Sequence, residues 1–415
     1  MRMAGDIAVI NCYKRDVADR VMVAGDVFAT PESWLRQKPG VKWRRMEPDV
    51  LAAWVADMDF PTPEPVQRAL QRVLDDGDLG YADWRDGTPL RAVFAERMSR
   101  RFGWDVDPSL VREVTDVVQG VMQALYLGTE VGDAVAVHIP AYPPFLNPII
   151  EMGRRVVPIP MVDSAAGWRF DLERLDHGLR VSRSRAMVLV NPHNPTGRVF
   201  TDSELRGLAD LAQRHDLLVV SDEIHADLVC QPSRHIPFAA LSDDTASRTV
   251  TVTSASRAFN HAAARCAVAH YGPNELLGRR DRQPPGLFGA VGVFGVAAAV
   301  GAWVDGDAWL AGLVDHLDGQ RRLLAETLAS RAPMLRHHSP EAGYLAWIDF
   351  GALGWGDNPM TVLYEKGRVR LSPGTMFGPS GAGFARLNFA TSGLILEEVL
   401  NRVVVTALSS STVTT

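Results

Sequence analysis

The chain has 415 residues, 47% of them hydrophobic and 22% charged, with a formal net charge of −6. That is ordinary globular usage with enough apolar material for a sizeable core, and it excludes a basic nucleic-acid footprint. Three cysteines, Cys12, Cys230 and Cys266, show neither pairing nor metal-ligand spacing, so no disulfide framework and no metal site are expected, and a reducing cytoplasm fits.

In chain order, residues 1–26 read as an N-terminal extension without a motif or a charged-then-apolar leader pattern. Val41–Pro65 reads as a short strand, an acidic turn at Asp57-Met58-Asp59 and a proline-bounded loop. Glu64–Asp75 is predicted as an amphipathic helix with Val66, Leu70, Val73 and Leu74 on its apolar face. Gly80-Tyr81 closes a turn, and Pro89–Phe102 is a second helix with Leu90, Val93, Phe94 and Met98 on one side. From Val114 the texture becomes α/β. A strand at Val114–Val118 meets Gln119-Gly120 and a helix follows; Ala134–Ile139 is a strand closed by Pro-Ala-Tyr-Pro-Pro. Arg185–Val190 is a buried strand ending in Asn191-Pro-His-Asn-Pro-Thr-Gly197, with Asp202 as the cap of the next helix. Leu217–Val220 runs into Ser221-Asp222-Glu223-Ile224-His225, and Thr249–Thr253 into a serine-rich turn.

Leu287–Val304 carries no charge and is long enough to span a membrane, but its Gly and Ala content and the preceding Pro284-Pro285 predict a buried helix of small residues instead. A long helix over Trp309–Arg331, strands at Gly343–Phe350, Val369–Gly374 and Arg386–Ala390, and a closing helix over Leu396–Leu408 complete the chain. The expected organisation is a large domain over 76–304, a smaller one built from 27–75 and 305–410, and a frayed tail at 411–415.

Polar motifs repeatedly follow apolar strands. In open α/β sheets ligands sit beyond the carboxyl ends of the strands, so these motifs predict one shared pocket. Asp222, at the end of a buried strand, needs a cation or several donors, and reads as a helix cap, an ion pair or a partner for a protonated ring nitrogen. Asn194, pinned between prolines, reads as an Asx-turn or as an amide aimed at a ligand. Tyr142 suits core packing or a platform for a planar ligand, and His225 a core position or a bond to a ring hydroxyl. Arg386 suits a structural salt bridge or a bidentate grip on a carboxylate. The stretch Thr251–Arg265 carries Ser254, Ser256, Arg257 and Arg265, which read as an ordinary turn or as hydroxyls and cations for a phosphate.

Taken together, WVADMDF, AYPPF, NPHNPTGRVF, SDEIHADLV, the Ser254-Ala-Ser256 turn, YLAWIDF, LSPGTMFGP and RLNFA resemble the fold-type-I pyridoxal-phosphate enzymes. The branch they resemble is the cystathionine β-lyase (MalY/PatB-type) group of the class I/II aminotransferases, from about Val41 to Leu400. The resemblance implies an aspartate-aminotransferase-like α/β fold, with a mostly parallel sheet between helices and a smaller α/β domain from both chain ends. It implies that Tyr142 stacks on the pyridine ring, Asn194 and His225 lie at the ring hydroxyl, and Asp222 pairs with the ring nitrogen. Gly120 and Val121 amides, Ser254, Ser256 and Arg265 would hold the phosphate, and Arg386 an amino-acid-like substrate's carboxylate. Tyr81 would reach the phosphate from a partner subunit, so a homodimer is implied.

One position departs. Where the family reads S-x-S-Lys-T-F-N, this chain reads Ser254-Ala-Ser-Arg257-Ala-Phe-Asn260. A guanidinium forms no Schiff base, and its pKa above about 12 makes it a poor proton shuttle. Lysine occurs only at positions 14, 38, 42 and 366, none of them in a motif. Three readings follow. The first is an enzyme using noncovalently held pyridoxal or pyridoxamine phosphate, an external aldimine, or a repurposed cofactor-free pocket, with Arg257, Tyr142 and His225 as its catalytic candidates. The others are a non-catalytic ligand-binding protein and an engineered Lys-to-Arg variant of a lyase.

Overall fold

Ser184–Val190, seven residues of which all but Arg185 are buried, is an interior strand of a seven-stranded sheet. The computed structural model describes residues 26–284 and 286–411, so the N-terminal extension, Cys12, Lys14 and the last four residues lie outside it. Across the sheet the strands run Val111–Val114, Ala267–Tyr271, Thr249–Thr253, Leu218–Asp222, Ser184–Val190, Ala134–Ile139 and Arg155–Pro160. Ala267–Tyr271 is antiparallel to both neighbours, and the other pairings are parallel. Parallel strands covered by helices on both faces read as continuous apolar runs, which is why their sequence shows no alternation.

A second, antiparallel sheet orders Arg336–His337, Leu345–Asp349, Phe384–Asn388 and Ser372–Pro373. The chain's early segment joins this region, because Leu51–Ala52 pairs in parallel with Val369–Arg370. The closing helix spans Gly393–Ser411.

Several local expectations shift. The β-branched run at Val114–Val118 divides: the strand ends at Val114 and a helix starts at Val117, because the Asp116 side chain accepts the Gln119 amide and caps it. Thr201, not Asp202, caps the Asp202–Arg214 helix, through a capping box with Glu204. Val41–Arg44 is a helical turn rather than a strand. On the Glu64–Asp76 helix, burial centres on Pro65, Val66 and Ala69, while Leu74 is 53% exposed. The cause is the partner: the Val293–Asp305 helix lies so close that a Cβ on Gly301 would sit 2.6 Å from Ala69 Cβ. That helix is the small-residue segment expected after Pro284-Pro285, though it begins six residues later than the uncharged run. No single helix among the described residues is long and apolar enough to cross a membrane.

Arg97 anchors the strand-end segment from below. Its guanidinium is 1% exposed and bonds Asp227, Asp307 and the Trp303 carbonyl. Asp227 lies two residues beyond His225, so this buried ion cluster fixes the turn that carries Asp222 and His225.

Candidate active site

Four neighbouring parallel strands end on the same edge of the sheet, and each delivers at least one candidate group. Ala134–Ile139 leads to Tyr142, Ser184–Val190 to Asn194, Leu218–Asp222 to Asp222 and His225, and Thr249–Thr253 to Ser254 through Arg257.

The Asn191–Gly197 turn is clamped from several sides. Asn191 Oδ1 accepts the Phe200 amide at 3.1 Å, and Gly197, at φ 70°, donates to His193 O at 2.7 Å and accepts the Glu341 amide at 2.8 Å. Thus held, Asn194 Oδ1 accepts Arg386 Nη1 at 3.0 Å. The amide is spent on a tertiary contact rather than on a local Asx-turn.

Arg386 is buried, and its other acceptors are Ser372 Oγ and Trp54 O, each at 3.3 Å. All of these are neutral, and its Nε has no partner among the described residues. Its guanidinium lies 4.8 Å from the Phe377 ring. Burial, with Arg257 adding to it, pushes its pKa down to about 10. Among the described residues no salt bridge makes Arg386 structural, and a buried cation without a counter-ion is costly. An anionic ligand would supply one.

Asp222 is also buried. Its carboxylate accepts the Ile224 amide at 3.0 Å and is pushed up to about 7, chiefly by burial, against the lowering effect of that bond and of Arg257. His225 is neutral: burial, then Arg257 and Arg386, push it down to about 3, and its Nδ1 has no partner among the described residues. Tyr344, whose ring centroid lies 6.1 Å from that of His225, donates its hydroxyl to Ala56 O at 3.0 Å. Arg257 donates to the same carbonyl and to Asp57 Oδ1 at 3.3 Å. Tyr142 stands within electrostatic range of both Arg257 and Arg386, edge-on to Phe145. One cluster therefore gathers Tyr142, Asn194, Asp222, His225, Arg257 and Arg386. Trp54, Ser372 and Tyr344 belong to it and were missed, because a backbone carbonyl and a tyrosine inside an apolar strand leave no sequence signal.

A second cluster lies at the N-terminus of the Val117–Gly128 helix. Ser254 Oγ donates to Cys266 O at 2.7 Å and accepts the Ser256 amide at 3.1 Å. Arg265, 62% exposed, pairs with Asp116 Oδ2, while Asp116 Oδ1 accepts the Gln119 amide at 2.8 Å. Gly120 and Val121 do not offer their amides here. Gly120 N donates to Asp116 O inside the helix, and Val121 follows it into the helix interior. The glycine serves packing instead, since a Cβ there would meet Val252 Cγ1 at 2.6 Å. Asp116 was read as part of a strand, and neither its capping role nor its pairing with Arg265 was foreseen. Tyr81 is fully exposed and separate from both clusters.

The residues fit a lysine-anchored pyridoxal phosphate only at its ring. A buried acid without a cation suits a protonated ring nitrogen. At the aldehyde end stands Arg257, and at the anion end a carboxylate already sits on Arg265. Among the described lysines, Lys366 is exposed, and Lys38 and Lys42 line a cavity of about 640 Å³ on the other side of Asp57. Lys42 is committed there, to Asp59 at 2.9 Å and to Asp57 O at 3.1 Å.

The profile of the family described as "Aminotransferase class I and II" matches residues 55–403. Cystathionine beta-lyase PatB of Bacillus subtilis is 36% identical over 359 residues, covering 86% of this chain and 92% of that protein. Protein MalY of Escherichia coli is 33% identical over 363 residues, covering 86% and 91%. Among solved structures, that of cystalysin from Treponema denticola, which contains a pyridoxal 5'-phosphate cofactor, superposes with a TM-score of 0.87 at 26% identity, covering 93% of this chain and 99% of that one. The fold-type-I α/β architecture expected from the motifs is the one the chain adopts. By profile, by identity along nearly its whole length and by fold, the chain belongs to the class I and II aminotransferase family.

Proposed function

We propose that this chain uses the aminotransferase pocket, without a lysine-bound cofactor, to take an amino-acid-like ligand: a carboxylate on Arg386 and a cationic nitrogen on Asp222. The observation that carries the reading is Arg386, a buried guanidinium whose protein acceptors are all neutral. A bidentate carboxylate would occupy its idle donors. Asp222, whose pKa burial raises to about 7, would release its proton to become the counter-ion of an ammonium or ring N–H. The relatives' names point to C–S bond cleavage, a reaction that needs a base for the Cα proton. Arg257 supplies none, and His225, although neutral, is too weak a base at a pKa of about 3.

Calorimetric titration with amino acids, cystathionine among them, tests the reading. Arg386→Gln is expected to weaken binding about 30-fold or more, matching the roughly 2 kcal/mol or more that removing one partner of a buried charge pair costs. Equal affinity in the variant would remove the basis of the proposal. The reading also includes a homodimer, supported by the full exposure of Tyr81 beside the exposed Leu79. Sedimentation should give twice the chain mass and, for a Tyr81→Asp variant, a shift toward the monomer; a wild-type monomer would end this part of the reading.

A further inference from the structure

We infer that Asp116 is a built-in substitute for a phosphate, and that the pocket consequently selects against phosphorylated ligands, pyridoxal phosphate included. The inference adds to the proposed function and rests on it only for the location of the pocket.

Three elements converge on the anion position: the N-terminus of the Val117–Gly128 helix, the Ser254–Ser256 turn and Arg265. A helix N-terminus with a nearby cation is a ready anion site, because its first amides point outward unpaired. Here the anion is covalently part of the chain. Asp116 closes the amide of Gln119 with one oxygen and the Arg265 guanidinium with the other. Three of the other donors are also engaged within the protein. Ser254 gives its hydroxyl to Cys266 O, Gly120 gives its amide to Asp116 O, and the Gln119 side chain bonds both the Thr115 amide at 2.8 Å and Phe288 O at 2.5 Å. An incoming phosphate would have to displace Asp116 from Arg265 and then sit beside its charge. Like charges a few ångströms apart repel even near a protein surface, where water reaches both Arg265 and Asp116. A ligand without phosphate meets no such obstacle, since Asp222, Asn194 and Arg386 lie in the other cluster.

The test compares pyridoxal phosphate, unphosphorylated pyridoxal and inorganic phosphate by calorimetry on the wild type and on Asp116→Ser. Serine keeps the cap and removes the charge. The variant should bind pyridoxal phosphate at least about a hundredfold more tightly than the wild type, and inorganic phosphate at least about tenfold, while pyridoxal changes by less than about threefold. Asp116→Asn, which keeps both shape and cap, should show the same order and guards against a folding defect in the serine variant. Wild-type binding of pyridoxal phosphate as tight as either variant's would overturn the inference, and so would an equal gain for pyridoxal. Neither result touches the amino-acid titration on Arg386, so failure here and failure of the proposed function are separable.

Discussion

Asp222→Asn should make the protein more stable at about pH 8, by about 3 kcal/mol, and much less so at about pH 5. An unfolded aspartate titrates near 3.9. In the fold the same group is pushed up to about 7, chiefly by burial. The folded state therefore holds a proton that the unfolded state has lost throughout the window between these values, and stability falls as pH rises through it. Three units correspond to about 4 kcal/mol, fully in force above about pH 7 and absent below about pH 4. Asparagine has the same shape and keeps an oxygen for the Ile224 amide, but its NH₂ finds no acceptor, which returns about 1 kcal/mol. His138 and His193, both pushed down to about 3 by burial, make the wild type and the variant lose stability alike as pH falls below the usual histidine range, so they drop out of the difference. Urea unfolding of both proteins at the two pH values measures it. A gap that does not grow between about pH 5 and pH 8, by about 2 to 3 kcal/mol, would mean that Asp222 is not the strained acid described here. A stability cost of this size at one strand end is expected where a ligand's cation is meant to relieve it.

That site was partly legible before the fold was known. Tyr142, Asn194, Asp222 and His225 each follow an apolar run, and the topology of parallel strands puts all such ends on one edge, so short-range pattern sufficed to group them. Strands with weaker patterns escaped. Arg155–Pro160 lies at the sheet's edge, with only Ile159 buried and Pro158 within it, and Ala267–Tyr271 follows a polar stretch whose motif absorbed the reading. The run Val114–Val118 misled for the opposite reason: β-branched residues favour a strand, and the Asp116 cap together with the packing of Gly120 on Val252 overrode that preference. Contacts far apart in sequence were out of reach in principle. Arg257 finds Ala56 and Asp57 some two hundred residues away, and Arg265 finds Asp116; neither pairing has a local signature. The assignment of the phosphate to the Gly120 and Val121 amides failed on this point, since a one-turn difference in where a helix starts decides which amides are open.

The Arg257→Lys variant carries the largest expected effect, and the structure changes what should be expected of it. With the pocket otherwise ready, an amine at position 257 would meet the aldehyde of pyridoxal phosphate directly. The pocket is not ready, because the anion end is held by Asp116. The single variant is therefore expected to give little covalent adduct at sub-millimolar pyridoxal phosphate. The double variant Arg257→Lys with Asp116→Ser should give near-stoichiometric adduct at residue 257, fixed by borohydride and located by peptide mass spectrometry. Partial burial and the positive charge of Arg386 would disfavour the charged form of the new amine, so a reactive fraction should exist near neutral pH. The double variant should also gain elimination from cystathionine, by about two to four orders of magnitude over the wild type, which is what a positioned proton-transfer group contributes. The wild type should remain unlabelled at position 257. Label on wild-type Lys38 or Lys42 would show that an amine behind Asp57 has taken over the carbonyl chemistry. Lys38 is the one to watch, because burial lowers its pKa to about 8 and leaves part of it uncharged. A double variant that binds pyridoxal phosphate yet forms no adduct would place the divergence of this pocket beyond Arg257 and Asp116, at the ring or the carboxylate end.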